Sequence, residues 1–196
     1  MEKYCSKCGK ELVDGKCTCN ELSKDNIFTY IKEFITKPVD TTKKFIKNGT
    51  NEDSYIILLI TSIVLGLISI TLFKRIFVPF KLVLLSTIII YLFFLVFSAI
   101  INLISKYIIK EEISYEKILK LISISSVSFI LVGIIYYLIY YLFNIVFIEL
   151  LGFGILLFSI TFTFGINKIS KMDLNKIPYL LIATILIITF IVNIIL

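Results

Sequence analysis

Long charge-free stretches alternate with short polar ones along most of this chain. Residues 55–73 (YIILLITSIVLGLISITLF) carry no charge and are closed by Lys74 and Arg75. A second uncharged run occupies 82–104, between the Pro79–Lys81 connection and a segment holding Lys106, Lys110, Glu111, Glu112, Glu116, Lys117 and Lys120. From Leu121 to Asn167 the only charge is Glu149. A further uncharged run fills 177–196, with Pro178 suited to a first helical turn.

The bilayer core is about 30 Å thick and a helix rises 1.5 Å per residue, so a span takes about 20 apolar residues. In hydrocarbon the backbone must satisfy its own hydrogen bonds, which turns such runs into helices. As one helix, 121–167 would be about 70 Å long, so it must fold back, with the turn near Asn144. The expected fold is an all-α polytopic membrane domain over 51–196. Its five spans fall at about 55–73, 82–104, 118–142, 147–166 and 177–196.

Residues 21–50 read differently. Ile27, Tyr30, Ile31, Phe34 and Ile35 recur at helical spacing with Lys24, Lys32 and Glu33 between them. Asp25 or Ser23 is expected to cap this helix and Pro38 to end it. A second short pattern opposes Val39, Phe45 and Ile46 to Lys43, Lys44 and Lys47, and Gly49 closes it. Both stretches are expected to lie on the cytoplasmic membrane face, with packing on the protein itself as the competing reading.

Composition agrees with the pattern. Hydrophobic residues make up 58% of the chain and charged ones 17%, against about 45–50% and about 25% in soluble domains. The net charge of +6 comes from clusters between apolar runs, which suits anionic headgroups and not nucleic acid. With the N-terminus inside, 17 basic residues face the cytoplasm and three (Lys74, Arg75, Lys81) face out. That bias predicts a multi-pass cell-membrane protein with a cytoplasmic N-terminus and the C-terminus outside. There is no histidine, which excludes Ser-His-Asp and Cys-His catalysis.

The head, residues 1–20, reads YCSKCGKELVDGKCTCN from Tyr4. Cys5, Cys8, Cys17 and Cys19 form two close pairs, a donor set suited to a closed tetrahedral zinc site with no open catalytic position. Disulfides are disfavoured in a reducing cytoplasm, while redox-active thiols remain an alternative. The head resembles the short zinc ribbons found at the N-terminus of many membrane proteins. Its second pair is C-x-C where C-x-x-C is usual, which strains Cys19 as the fourth ligand.

Within the spans, Glu149 is the candidate intramembrane carboxylate, near the outer end of span four. Ser123, Ser125, Ser126 and Ser128, with Gly133, Gly152 and Gly154, suit close helix packing. Tyr136, Tyr137, Tyr140 and Tyr141 read as an aromatic belt.

The segment FITKPVDTTKKFI before the first span resembles the Yip1 family of five-span membrane proteins. So do the loop and helix KEEISYEKILKLISISSVSFILVGIIYYL and the five-span layout. The resemblance covers roughly 28–196 and implies a membrane-organising or trafficking role with no catalytic residues. Together these readings predict a non-enzymatic protein. The body would contact the lipid bilayer, and the zinc-stabilised head would dock another membrane or cytoplasmic protein. The alternative is a small transporter or channel subunit using Glu149, Ser123 and Ser126.

Overall fold

A computed structural model describes residues 26–72, 80–110, 113–145, 149–170, 177–182 and 184. The cysteine head, Ser23 and Asp25 lie outside the described residues, as does most of the run 177–196.

Every described element is helical. Helix α1 (Ile27–Thr36) is capped by Asn26, whose side-chain oxygen accepts from the Phe28 N–H at 3.5 Å. Pro38 ends it as expected. The chain turns at Lys37 and Pro38 opens α2 (Pro38–Asn48), where its missing N–H costs nothing. Gly49 follows because the backbone passes tightly over Phe45. A Cβ there would stand 2.7 Å from the Phe45 carbonyl oxygen and 2.8 Å from its ring.

Helix α3 (Asn51–Leu72) begins one turn earlier than the apolar run. A reciprocal box at Thr50 and Asp53 explains this. Thr50 Oγ1 accepts from the Asp53 N–H at 3.0 Å, and Asp53 Oδ2 accepts from the Thr50 N–H at 3.0 Å. Helix α4 (Phe80–Ile104) runs into a π-helical turn over Ser105–Ile109, stopped by Lys110 in the left-handed conformation at φ 62°. Asn102 Nδ2 reaches across to the Ile113 carbonyl at 2.7 Å and ties this turn to the start of α5.

Helix α5 (Tyr115–Phe143) ends where the length argument requires. Asn144 is left-handed at φ 52°, and its N–H donates to the Tyr140 carbonyl at 2.8 Å. Asn tolerates this conformation better than most residues, which makes it a natural stop. Helix α6 (Glu149–Ser170) returns. Residues 177–182 are helical again. Among the described residues, four helices are long and apolar enough to cross a membrane: α3, α4, α5 and α6.

Helix α5 is the centre of the bundle. Some 72% of its apolar window is buried, against 39% for α3, 33% for α4 and 28% for α6. Helices α3 and α6 flank it, and α4 packs on both α3 and α5. The outward faces of α4 (Leu85, Ile88, Ile89, Leu92) and α6 (Ile155, Leu156, Phe164) are exposed and apolar, as lipid contact requires.

The α1–α2 pair is joined to this bundle. Tyr30, Phe34 and Phe45 are buried in one cluster with Ile57 of α3 and with Ile124 and Val127 of α5. Tyr30 meets Phe45 edge-to-face at 4.9 Å. The apolar stripe expected to face lipid thus packs largely on protein, while Phe28 and Ile35 stay exposed at 72% and 59%. Lys44 donates to both Glu33 carboxylate oxygens at 2.9 Å and lies over the Tyr30 ring, pinning α2 to α1.

Candidate functional site

Four serines of α5 lie around the helix and meet more than one of its neighbours. Ser123, Ser125, Ser126 and Ser128 are all fully buried. Buried hydroxyls in an apolar bundle must find acceptors, and the nearest are carbonyls of the preceding turn. Ser123 donates to the Lys120 carbonyl at 2.9 Å, and Ser126 donates to the Ser123 carbonyl at 2.7 Å. With the Ser126 proton engaged, Thr61 of α3 supplies the hydrogen in the 3.1 Å contact between their hydroxyls. Ser128 donates to the Ser125 carbonyl at 2.9 Å and reaches the Gly154 carbonyl of α6 at 3.2 Å. Nearer the Asn144 end, Thr71 donates to the Ile68 carbonyl, so Tyr136 donates to Thr71 at 2.8 Å.

This seam is a packing device. Small residues let the neighbouring helices approach: Gly133 faces Val64, and Gly154 faces Phe129 and Val132. The hydroxyls that cross between helices are few, and each is consumed by a partner. Ser125 Oγ and Tyr137 OH of α5 and Ser105 Oγ are buried with no partner among the described residues.

The structure does not bring the three expected intramembrane residues together. Ser123 and Ser126 sit in the core, whereas Glu149 lies exposed in the first turn of α6. There its carboxylate complements the positive end of the helix. Tyr136 also differs from the belt reading. It is buried and stacked on Tyr140 at 6.3 Å, while Tyr141 is 87% exposed. Sequence reasoning missed Thr61 as the partner of Ser126; its only signal is the Thr61–Ser62 hydroxyl pair within an apolar run. Among the described residues, no three His, Cys, Asp or Glu side chains stand close enough to hold a metal. The four cysteines lie outside that set.

A charge-poor helical bundle with exposed apolar flanks and a buried hydroxyl seam defines a multi-pass integral membrane protein. The Yip1 domain model matches residues 32–196, and the chain belongs to the Yip1 family. That family serves membrane trafficking and is not known for enzymes. No curated protein and no solved structure is significantly similar to the chain.

Proposed function

We propose that this protein is a non-enzymatic membrane adaptor. Its N-terminal Cys5, Cys8, Cys17 and Cys19 hold a structural zinc ion, and the head so formed docks a cytoplasmic or membrane protein partner. Four thiols in two close pairs are a donor set that zinc favours, and metal binding supplies the folding energy that a twenty-residue module lacks. The reading rests above all on the Tyr30–Phe34–Phe45 seam. It fixes the start of α1 on the bundle, which supports a head carried close to the membrane. A docking platform needs that placement more than a loose tether would supply.

The placement of charge supports a cytoplasmic N-terminus. The bundle end where α3 and α5 begin and α4 and α6 finish carries Lys106, Lys110, Lys117, Lys120 and Lys168 beside Glu52, Asp53 and Glu116, and the orientation rule counts the basic residues. The described part of the other end carries Lys81 and Glu149. A fifth span over 177–196 completes the proposed topology, with the C-terminus outside.

The test is a crosslinked pull-down from native membranes with zinc quantified. It compares wild type with a variant carrying Ser at all four cysteine positions. Zinc and a specific partner are expected to disappear together. Loss of zinc with an unchanged partner set sinks the docking role of the head. The transport alternative has its own check. The serine hydroxyls are engaged in helix packing and Glu149 is exposed at a helix end. Glu149→Gln is therefore expected to leave any deletion phenotype fully complemented, whereas a null phenotype for this variant favours transport.

A further inference from the structure

The buried seam of α1 and α2 lies at a telling depth along the bundle. On α3, Ile57 stands four residues beyond Asp53, the last charge before the apolar run. On α5, Ile124 and Val127 stand four and seven residues beyond Lys120. On α6, Gly165 stands three residues before Lys168, and a Cβ on it would come within 3.1 Å of Thr42 Cγ2. At 1.5 Å per residue these contacts lie about 5–10 Å inside the innermost charges that bound three separate helices. Amphipathic helices in a membrane interface bury their apolar face to about 5–10 Å.

The arrangement of side chains around α1 fits that depth. Each residue turns the helix by about 100°. The Tyr30–Phe34 stripe faces the bundle. Phe28 and Ile35, both exposed, project about 120–140° around the helix from that stripe, on the flank away from the bundle. Thr29, Lys32 and Thr36 lie on the far side from the bundle, and Glu33 is turned to meet Lys44 of α2. On α2, Asp40, Lys43 and Lys47 are exposed opposite the buried Thr41, Thr42 and Phe45. Protein contact on one flank, bare aromatic and aliphatic groups on the other, and charge on top is what a helix lying in an interface presents. The Glu33–Lys44 pair neutralises the two charges nearest the seam, as partial immersion demands.

We infer that α1 and α2 form a hairpin embedded in one leaflet beside the bundle. Phe28 and Ile35 sit among the upper acyl chains, and Lys32 and Lys37 sit at the lipid phosphates. The hairpin then occupies area in that leaflet alone. The inference rests on the membrane reading of α3–α6 and is independent of what the head binds.

The chain contains no tryptophan, so a single Trp is a clean optical reporter. Phe28→Trp, Ile35→Trp and, as the water-facing control, Lys43→Trp are made in the full chain. Each is reconstituted into vesicles of zwitterionic and anionic phospholipids brominated either beside the headgroup or at the chain end. At positions 28 and 35, emission is expected to be blue-shifted relative to position 43. Headgroup-proximal bromine should quench it more than chain-end bromine, and acrylamide should reach only position 43. Acrylamide quenching at 28 and 35 equal to that at 43 places this face in water and overturns the proposal. So does blue-shifted emission that neither brominated lipid quenches, which means that protein covers the face. Stronger quenching by chain-end bromine overturns the interfacial depth.

Discussion

Phe45→Ala is expected to release the α1–α2 hairpin from the bundle while α3–α6 stay folded. The ring is fully buried and is the common contact of the seam. It takes the edge of Tyr30 at 4.9 Å, and the Gly49 backbone closes over it. Truncating a buried Phe costs about 3–5 kcal/mol, because the transfer term and the residual cavity add. The remaining attachments of α2, at Thr42 against α6 and at Ile46, are smaller groups than the Phe45 ring. The Glu33–Lys44 pair holds α1 to α2 and is partly exposed, so it contributes little to docking. Local opening is therefore expected to rise roughly 100- to 4,000-fold, at about 1.4 kcal/mol per tenfold. Hydrogen exchange over 27–48 reports it, with exchange in α5 as the internal standard. Protection over 27–48 unchanged from wild type means that the seam does not hold the hairpin. If the adaptor reading is right, the same variant loses partner capture even though its cysteines are intact.

Much of this architecture is legible in the sequence because bilayer thickness imposes one length on every span. The runs 82–104 and 118–142 fall within a few residues of α4 and α5; length requires a turn between them and 147–166, and the polar Asn144 marks where it falls. The early start of α3 was less visible. It depends on Thr50 and Asp53 bonding each other across one turn, in a segment too polar to count as span. Which helix takes the centre was hidden for a different reason. A span is apolar all round, so no periodicity distinguishes its protein face from its lipid face. The serines of α5 were the one marker, since hydroxyls gain from facing a neighbouring helix and gain nothing from facing lipid. The same ambiguity governed α1. Tyr30 and Phe34 on one side, and Phe28 and Ile35 on another, are equally apolar in sequence, yet only the first pair has a protein partner. Glu149 was legible as a helix-end residue because the span predicted at about 147–166 already put it near its outer end, and α6 begins there.

The closest approach of α3 and α5 gives the second large effect. A Cβ on Gly133 would stand 2.1 Å from Val64 Cγ1, closer than any real contact between carbons. Val64 is β-branched and stiff at χ1, so it has little freedom to swing away within a helix. Gly133→Ala must therefore push the helices apart or force Val64 off its rotamer. Overpacking of this kind costs about 1–3 kcal/mol. The displacement also reaches neighbouring contacts, since Thr61 with Ser126 and Thr71 with Tyr136 bridge the same two helices at 3.1 and 2.8 Å. Glycine's low helix propensity acts the other way by about 0.8–1 kcal/mol, so the net loss measures steric conflict against an intrinsic gain. A double-mutant cycle separates the two. The Val64 Cβ stands an ordinary 3.6 Å from the added methyl. Truncating Val64 to Ala therefore removes the clash and leaves the propensity gain. Gly133→Ala/Val64→Ala is expected to melt above Gly133→Ala alone when unfolding is followed in detergent by circular dichroism. Strict additivity in the cycle means that α3 and α5 are not in contact at this pair. A favourable coupling of about 1 kcal/mol or more locates the tightest seam of the bundle at Gly133, the middle of the helix on which the others converge.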